Sequence, residues 1–190
     1  RRHTRYGTVT GVQTCALPIF TLIGTDRPGI VSGLAELVAK HGGNWTESRM
    51  ARLAGHFAGI LHAEVPAEQC DALMQALRAM QTAGLSVVVT PAEPAPAHDD
   101  HYGLHLELVG HDRPGIVHQI TTVIRRHGIN IEELETTTER APQTDDLLFK
   151  AIATLRVPAT VTAAKLRQDL EAIATELMVD LSLKEPGHVR

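Results

Sequence analysis

Two copies of an Asp-Arg-Pro-Gly motif are the residues of this chain whose types and order could do chemistry. They occupy residues 26–29 and 112–115. In each copy an alternating apolar strand runs into the motif and a helical apolar pattern leaves it. The start of a helix offers free N–H groups and a positive dipole end, and a glycine there leaves the N–H groups uncovered by a Cβ. Such a corner can receive a carboxylate.

The alternative interpretation is that each motif only makes a tight turn and lets helix and sheet pack closely. The motifs belong to a tandem repeat, and this argues against the turn-only interpretation. Residues 24–31 (GTDRPGIV) return almost unchanged as residues 110–117 (GHDRPGIV), and the same offset pairs His41 with His127 and Asn44 with Asn130. Turn chemistry alone rarely requires such identity, so the repeat keeps the binding hypothesis open. Pro28 and Pro114 are predicted at the first helical position, where a missing N–H costs nothing.

The elements around each motif follow the same order in both copies. After the strand and helix come a hairpin, which in the first copy turns at Ala54 and Gly55, then a second helix and a last strand. The β-α-β-β-α-β order predicts an α+β fold of two ferredoxin-like units, each a four-stranded antiparallel sheet with both helices on one face. The other face would be bare, carrying His105 and Glu107 in the second copy. A bare face or edge predicts a partner, either the sister copy or another chain, and so allows a homo-oligomer.

These patterns predict a first domain over residues 20–90, a Pro/Ala-rich linker over 91–101, a second domain over 102–184 and a tail over 185–190. Residues 1–19 have no counterpart in the second copy and resemble translated sequencing-adapter sequence, so we treat them as non-native. A native targeting peptide is the alternative. The segment carries three arginines and no acidic residue, so its removal changes the formal net charge from −4 to −7.

Composition and charge argue against several classes of function. An acidic chain without a basic stripe is not expected to bind nucleic acid directly. No apolar run is long enough to span a bilayer and no leader pattern is seen, so no membrane association and a cytoplasmic location are expected. The histidines show no clear metal-ligand spacing, and no nucleophile has a base beside it. We therefore expect no catalytic residue, no metal, no cofactor and no enzymatic activity.

The motifs resemble those of the ACT domain family, the small amino-acid-sensing modules. The features that match are a strand ending in Asp-Arg-Pro-Gly, a helix ending in His-Gly, and an asparagine that opens the second strand. The resemblance covers residues 20–183. It implies that a small amino acid is held between the corner of one unit and a neighbouring unit, with Asp26 or Asp112 as the partner of the amino group.

By the same resemblance, the expected ligand-binding residues are two equivalent sets. They are Asp26, Arg27, Pro28, Gly29, Ile30 and Asn44, and Asp112, Arg113, Pro114, Gly115, Ile116 and Asn130. Many relatives carry asparagine at the aspartate position, so ligand identity stays open, with a glycine-like or serine-like amino acid expected.

Two such units in a short chain are similar to the glycine cleavage system transcriptional repressor family. That implies a repressor acting through a DNA-binding activator. The alternative is the regulatory part of an enzyme such as formyltetrahydrofolate deformylase.

Overall fold

The computed structural model describes residues 18–80, 84–91, 100–141 and 146–185. The chain divides into two compact units between Ala95 and Pro96. Each unit has its own four-stranded sheet and its own hydrophobic core. None of the helices in the described residues is long and apolar enough to cross a membrane.

The first unit has the predicted element order. Its strands are β1 (Pro18–Thr25), β2 (Asn44–Leu53), β3 (His56–Glu64) and β4 (Leu85–Pro91), and its helices are α1 (Ile30–Lys40) and α2 (Cys70–Ala79), the latter entered through a 3-10 turn, Ala67–Gln69. The sheet order is β2-β3-β1-β4, with every pairing antiparallel.

The second unit repeats this arrangement. Its strands are β5 (His101–His111), β6 (Asn130–Arg140), β7 (Leu147–Pro158) and β8 (Val179–Lys184), and its helices are α3 (Ile116–Arg126) and α4 (Ala163–Leu177). The sheet order is β6-β7-β5-β8, again antiparallel. The prediction of two ferredoxin-like α+β units is confirmed.

Alternation along the strands decides which sheet face carries the core. In β5, Leu104, Leu106 and Leu108 are buried among the core side chains of the second unit. Because successive side chains of a strand point to opposite faces, His105 and Glu107 lie on the other face, as predicted. In the first unit the same face exposes apolar side chains, namely Ile23, Ile60 and Val88.

The hairpin between β2 and β3 turns in two residues. Ala54 and Gly55 both have positive φ, at 48° and 78°. Two left-handed residues in succession make the turn type that matches the twist of the flanking strands. The turn therefore lies where the sequence predicts it, with an alanine in a conformation that L-residues rarely adopt.

The predicted domain limits need correction at three places. β1 begins at Pro18 rather than at residue 20, because Pro18 pairs with Pro91 and Ile19 with Thr90 of the neighbouring strand. Pro91 itself therefore ends β4 rather than opening the linker. At the other end of the predicted linker, His101 begins β5 and pairs with Pro158. Residues 1–17, 92–99 and 186–190 lie outside the described residues, so the adapter segment, the linker between the strands and the tail stay predictions.

Candidate ligand site

Each Asp-Arg-Pro-Gly corner joins the first strand of its unit to the first helix. Gly29 precedes α1 with φ 92°, and Gly115 precedes α3 with φ 94°. This left-handed conformation is nearly free for glycine and costly for other residues. The prediction that Pro28 and Pro114 are the first helical residues is wrong by two positions, because the helix can begin only after the left-handed glycine.

Both corners present free backbone donors. The first helical hydrogen bonds run from Gly33 N to Gly29 O and from Gln119 N to Gly115 O. The preceding N–H groups of each helix have no partner within the helix, and no described side chain caps either start. By contrast, the hydroxyl of Thr162 caps α4 by accepting from Lys165 N. The geometry at both corners therefore suits an anionic group such as a carboxylate.

The two aspartates have different surroundings. Asp26 is partly buried, and its Oδ2 accepts a hydrogen bond of 2.6 Å from Nε of Arg52, near the end of β2. Asp112 is exposed, and no cation among the described residues contacts its carboxylate. Arg52 is a residue of the site that the sequence analysis missed. Aligning the repeats would have shown the signal, because the second copy has Thr138 where the first has Arg52.

The arginines of the two motifs differ as well. Arg113 is partly buried, and its Nη2 donates to the backbone carbonyl of Glu176 near the end of α4, at 3.3 Å. Arg27 is exposed and makes no polar contact with the described residues. In the first corner the aspartate is therefore hydrogen-bonded and the arginine is exposed. In the second corner the arginine is hydrogen-bonded and the aspartate is exposed.

The two asparagines of the predicted site lie far from the corner of their own unit. Asn44 begins β2 and pairs with Glu64 at the end of β3, whereas the corner lies beside the opposite end of β3. Eight residues of strand separate Asn44 from Arg52, a distance of roughly 26 Å at 3.3 Å per residue. Asn130 has the equivalent place at the start of β6. One small ligand therefore cannot contact both the corner and the asparagine of the same unit.

A small apolar cavity lies beside the start of α3. Its volume is about 30 Å³, and its lining includes Ile116, Val117, Leu134 and Phe149. This is room for one water-sized group.

In the first unit, Trp45 and Met50 of β2 pack against the core. A Cβ at Gly59 would lie only 2.6 Å from Cγ of Met50. The second unit has Thr136 and Ala151 at the positions that correspond to Met50 and Gly59.

Comparison with known proteins identifies the class of fold. Residues 18–90 match one ACT domain model, and residues 105–175 match another. The two matches follow the two structural units and together span most of the chain. The chain therefore belongs to the ACT domain family.

Similar proteins extend this likeness over both units. The glycine cleavage system transcriptional repressor of Escherichia coli is 27% identical over 163 residues, which cover 84% of this chain and 84% of the repressor. The protein of the same description from Shigella flexneri matches equally. A crystal structure of an unknown protein from Galdieria sulphuraria has 29% sequence identity and a TM-score of 0.76, covering 90% of this chain and 98% of that one.

Proposed function

We propose that this protein is a non-enzymatic regulator that senses a small amino acid. The observation that carries the proposal is the pair of glycine-led helix starts, each uncapped by described side chains and each beside an aspartate. An amino acid presents a carboxylate and an ammonium a few ångströms apart. The free N–H groups suit the first and an aspartate suits the second. Membership of the ACT family supports the same role.

We further propose that its regulatory target is transcription of the glycine cleavage system, through a DNA-bound activator protein. Support comes from the likeness to the Escherichia coli repressor, which spans 84% of both chains. The net charge of −4 disfavours contact with DNA phosphates, so the protein acts on DNA through a partner. We also propose that the protein is cytoplasmic and that it uses no cofactor.

Ligand binding is tested by calorimetric titration of the full chain with glycine and with serine. Replacing Asp112 with asparagine removes the charge that would pair with the ammonium while keeping nearly the same shape. We expect Asp112→Asn to weaken binding by up to about fivefold, because an exposed charge pair contributes at most about 1 kcal/mol. Asp180→Asn, an exposed change on β8, is the matched control and should leave affinity unchanged.

The transcriptional proposal has a separate test. In a gel shift at low salt, the purified protein alone should not shift a DNA fragment carrying the promoter of the glycine cleavage genes, whereas it should change the shift produced by the activator. A specific shift by this protein alone would contradict the proposed indirect mechanism.

A further inference from the structure

We propose that the two corners are unequal, and that the second one binds an amino acid more tightly than the first, because Arg52 occupies the carboxylate of Asp26. The inference rests on the proposed amino-acid-sensing function and concerns the relative affinity of its two sites. It makes Arg52 a residue that lowers the affinity of the first corner.

Strand register places Arg52 where it can reach Asp26. Arg52 of β2 pairs with Phe57 of β3, and Phe57 pairs with Gly24 of β1, two residues before the aspartate. From this row the guanidinium donates to Asp26 over 2.6 Å. The second unit has the same row, in which Thr138 pairs with Phe149 and Phe149 with Gly110. A threonine there is neutral and too short to make the equivalent ion pair.

The second corner also keeps its own arginine away from the aspartate. Arg113 donates to the carbonyl of Glu176, on the neighbouring helix α4. Asp112 thus remains an exposed carboxylate without a cation among the described residues. In the first corner, an incoming ammonium would meet an aspartate already paired, with Arg27 exposed beside it.

Competition between Arg52 and a ligand ammonium for Asp26 lowers the amino-acid affinity of the first corner by a limited factor. An exposed ion pair such as Asp26–Arg52 contributes up to about fivefold in an equilibrium constant. An ammonium held close to the displaced guanidinium would lose about another fivefold through repulsion in water. The first corner should therefore bind an amino acid about five- to twentyfold more weakly than the second.

The test is the affinity of each site for glycine and for serine, measured by calorimetric titration of the full chain. We expect the wild-type chain to have two sites whose dissociation constants differ by about five- to twentyfold. Arg52→Thr, which copies the residue of the second unit, should make the two affinities similar, and Thr138→Arg should weaken the tighter site by about five- to twentyfold. Arg49→Thr is the matched control, because it removes the same charge from β2 on the opposite sheet face and should leave binding unchanged.

The double variant with Arg52→Thr and Thr138→Arg should again have two unequal sites, with the tighter one now in the first unit. Melting curves of all variants establish that each is folded. Two equal sites in the wild-type chain, or an Arg52→Thr variant that binds as wild type does, would overturn the inequality of the corners while leaving the sensing function intact. Absence of binding in every folded variant, Arg52→Thr included, would overturn both.

Discussion

Single residues at the corners are constrained first by backbone conformation. An added Cβ would make only an ordinary van der Waals contact at each glycine, with Ser32 Oγ at 3.8 Å from the one at Gly29 and Gln119 Nε2 at 3.7 Å from the one at Gly115. The φ angles of 92° and 94° are nevertheless unfavourable for an L-residue. Glycine is thus required by the turn, whether or not a ligand uses the exposed N–H groups.

Gly115→Ala should therefore lower the free energy of unfolding by about 1–2 kcal/mol without ligand. Gly33→Ala is a matched control, because Gly33 lies inside α1 with the nearest atom, Met80 Cε, 4.0 Å from the added Cβ, and alanine favours a helix by about 0.5–1 kcal/mol. Urea unfolding of both variants checks this. Equal stability of Gly115→Ala and wild type would show that the backbone at the corner can shift to a conformation that alanine tolerates. If the loss is found, changes at Gly115 are a poor test of binding and changes at Asp112 are the better one.

At the scale of elements, the helices of the second unit are joined by a group that the first unit lacks. His127, the residue directly after α3, contacts Asp169 of α4 through Nε2 at 2.9 Å. Lys165 donates to the other oxygen of Asp169 at 2.8 Å. The corresponding histidine of the first unit, His41, instead bonds the carbonyl of Leu37 in its own helix. Matched histidines thus cap their own helix in one unit and cross-link two helices in the other.

This cross-link predicts an acid dependence of stability. The hydrogen bond from Lys165, reinforced by the one from His127, holds the pKa of Asp169 below its ordinary value of 3.8, against the opposing effect of burial. A carboxyl group with a lowered folded-state pKa stabilises the fold fully above its unfolded-state pKa and loses that contribution as the pH falls toward the folded-state value.

Asp169→Asn should therefore be less stable than wild type at pH 7, and the difference should shrink as the pH falls below 4. Thermal unfolding between pH 3 and pH 7 measures it. A difference that stays constant over this range would mean that the carboxylate charge of Asp169 makes no contribution.

At the scale of the whole molecule, each unit has a hydrophobic core of its own. The buried core of the second unit includes residues of both helices and of β5, β7 and β8. From β6, the partly buried Ile131 packs against this core. Leu155, Leu166 and Leu170 are fully buried at its centre. A core of this kind supports a domain of the size seen here.

A fragment of residues 100–190 should therefore unfold in one cooperative transition. Leu155→Ala in this fragment should lower the free energy of unfolding by about 2–5 kcal/mol, because it leaves a cavity in the core. Leu147→Ala, with Leu147 48% exposed, is the control and should change it by less than about 0.5 kcal/mol. Denaturant titration followed by circular dichroism measures all three proteins, and a fragment without a cooperative transition would show that this core does not suffice alone.

The sequence by itself determined the repeat, the order of elements and the face of β5 that carries His105 and Glu107. These are local properties: strand alternation, helical spacing and turn residues such as Ala54-Gly55 act over a few residues, so a linear reading detects them. The helix starts were misplaced by two residues because the backbone angle of a glycine, such as Gly115 at φ 94°, cannot be read from its type.

Only the tertiary structure decided which groups of the candidate site meet. The partnership of Arg52 with Asp26 depends on the register of three strands, and the separation of Asn44 from its own corner depends on antiparallel pairing. Both relations join residues distant in sequence, and local propensity carries no information about such pairs. Two almost identical motifs consequently became two chemically different corners, because each motif meets different neighbours once the sheet has formed.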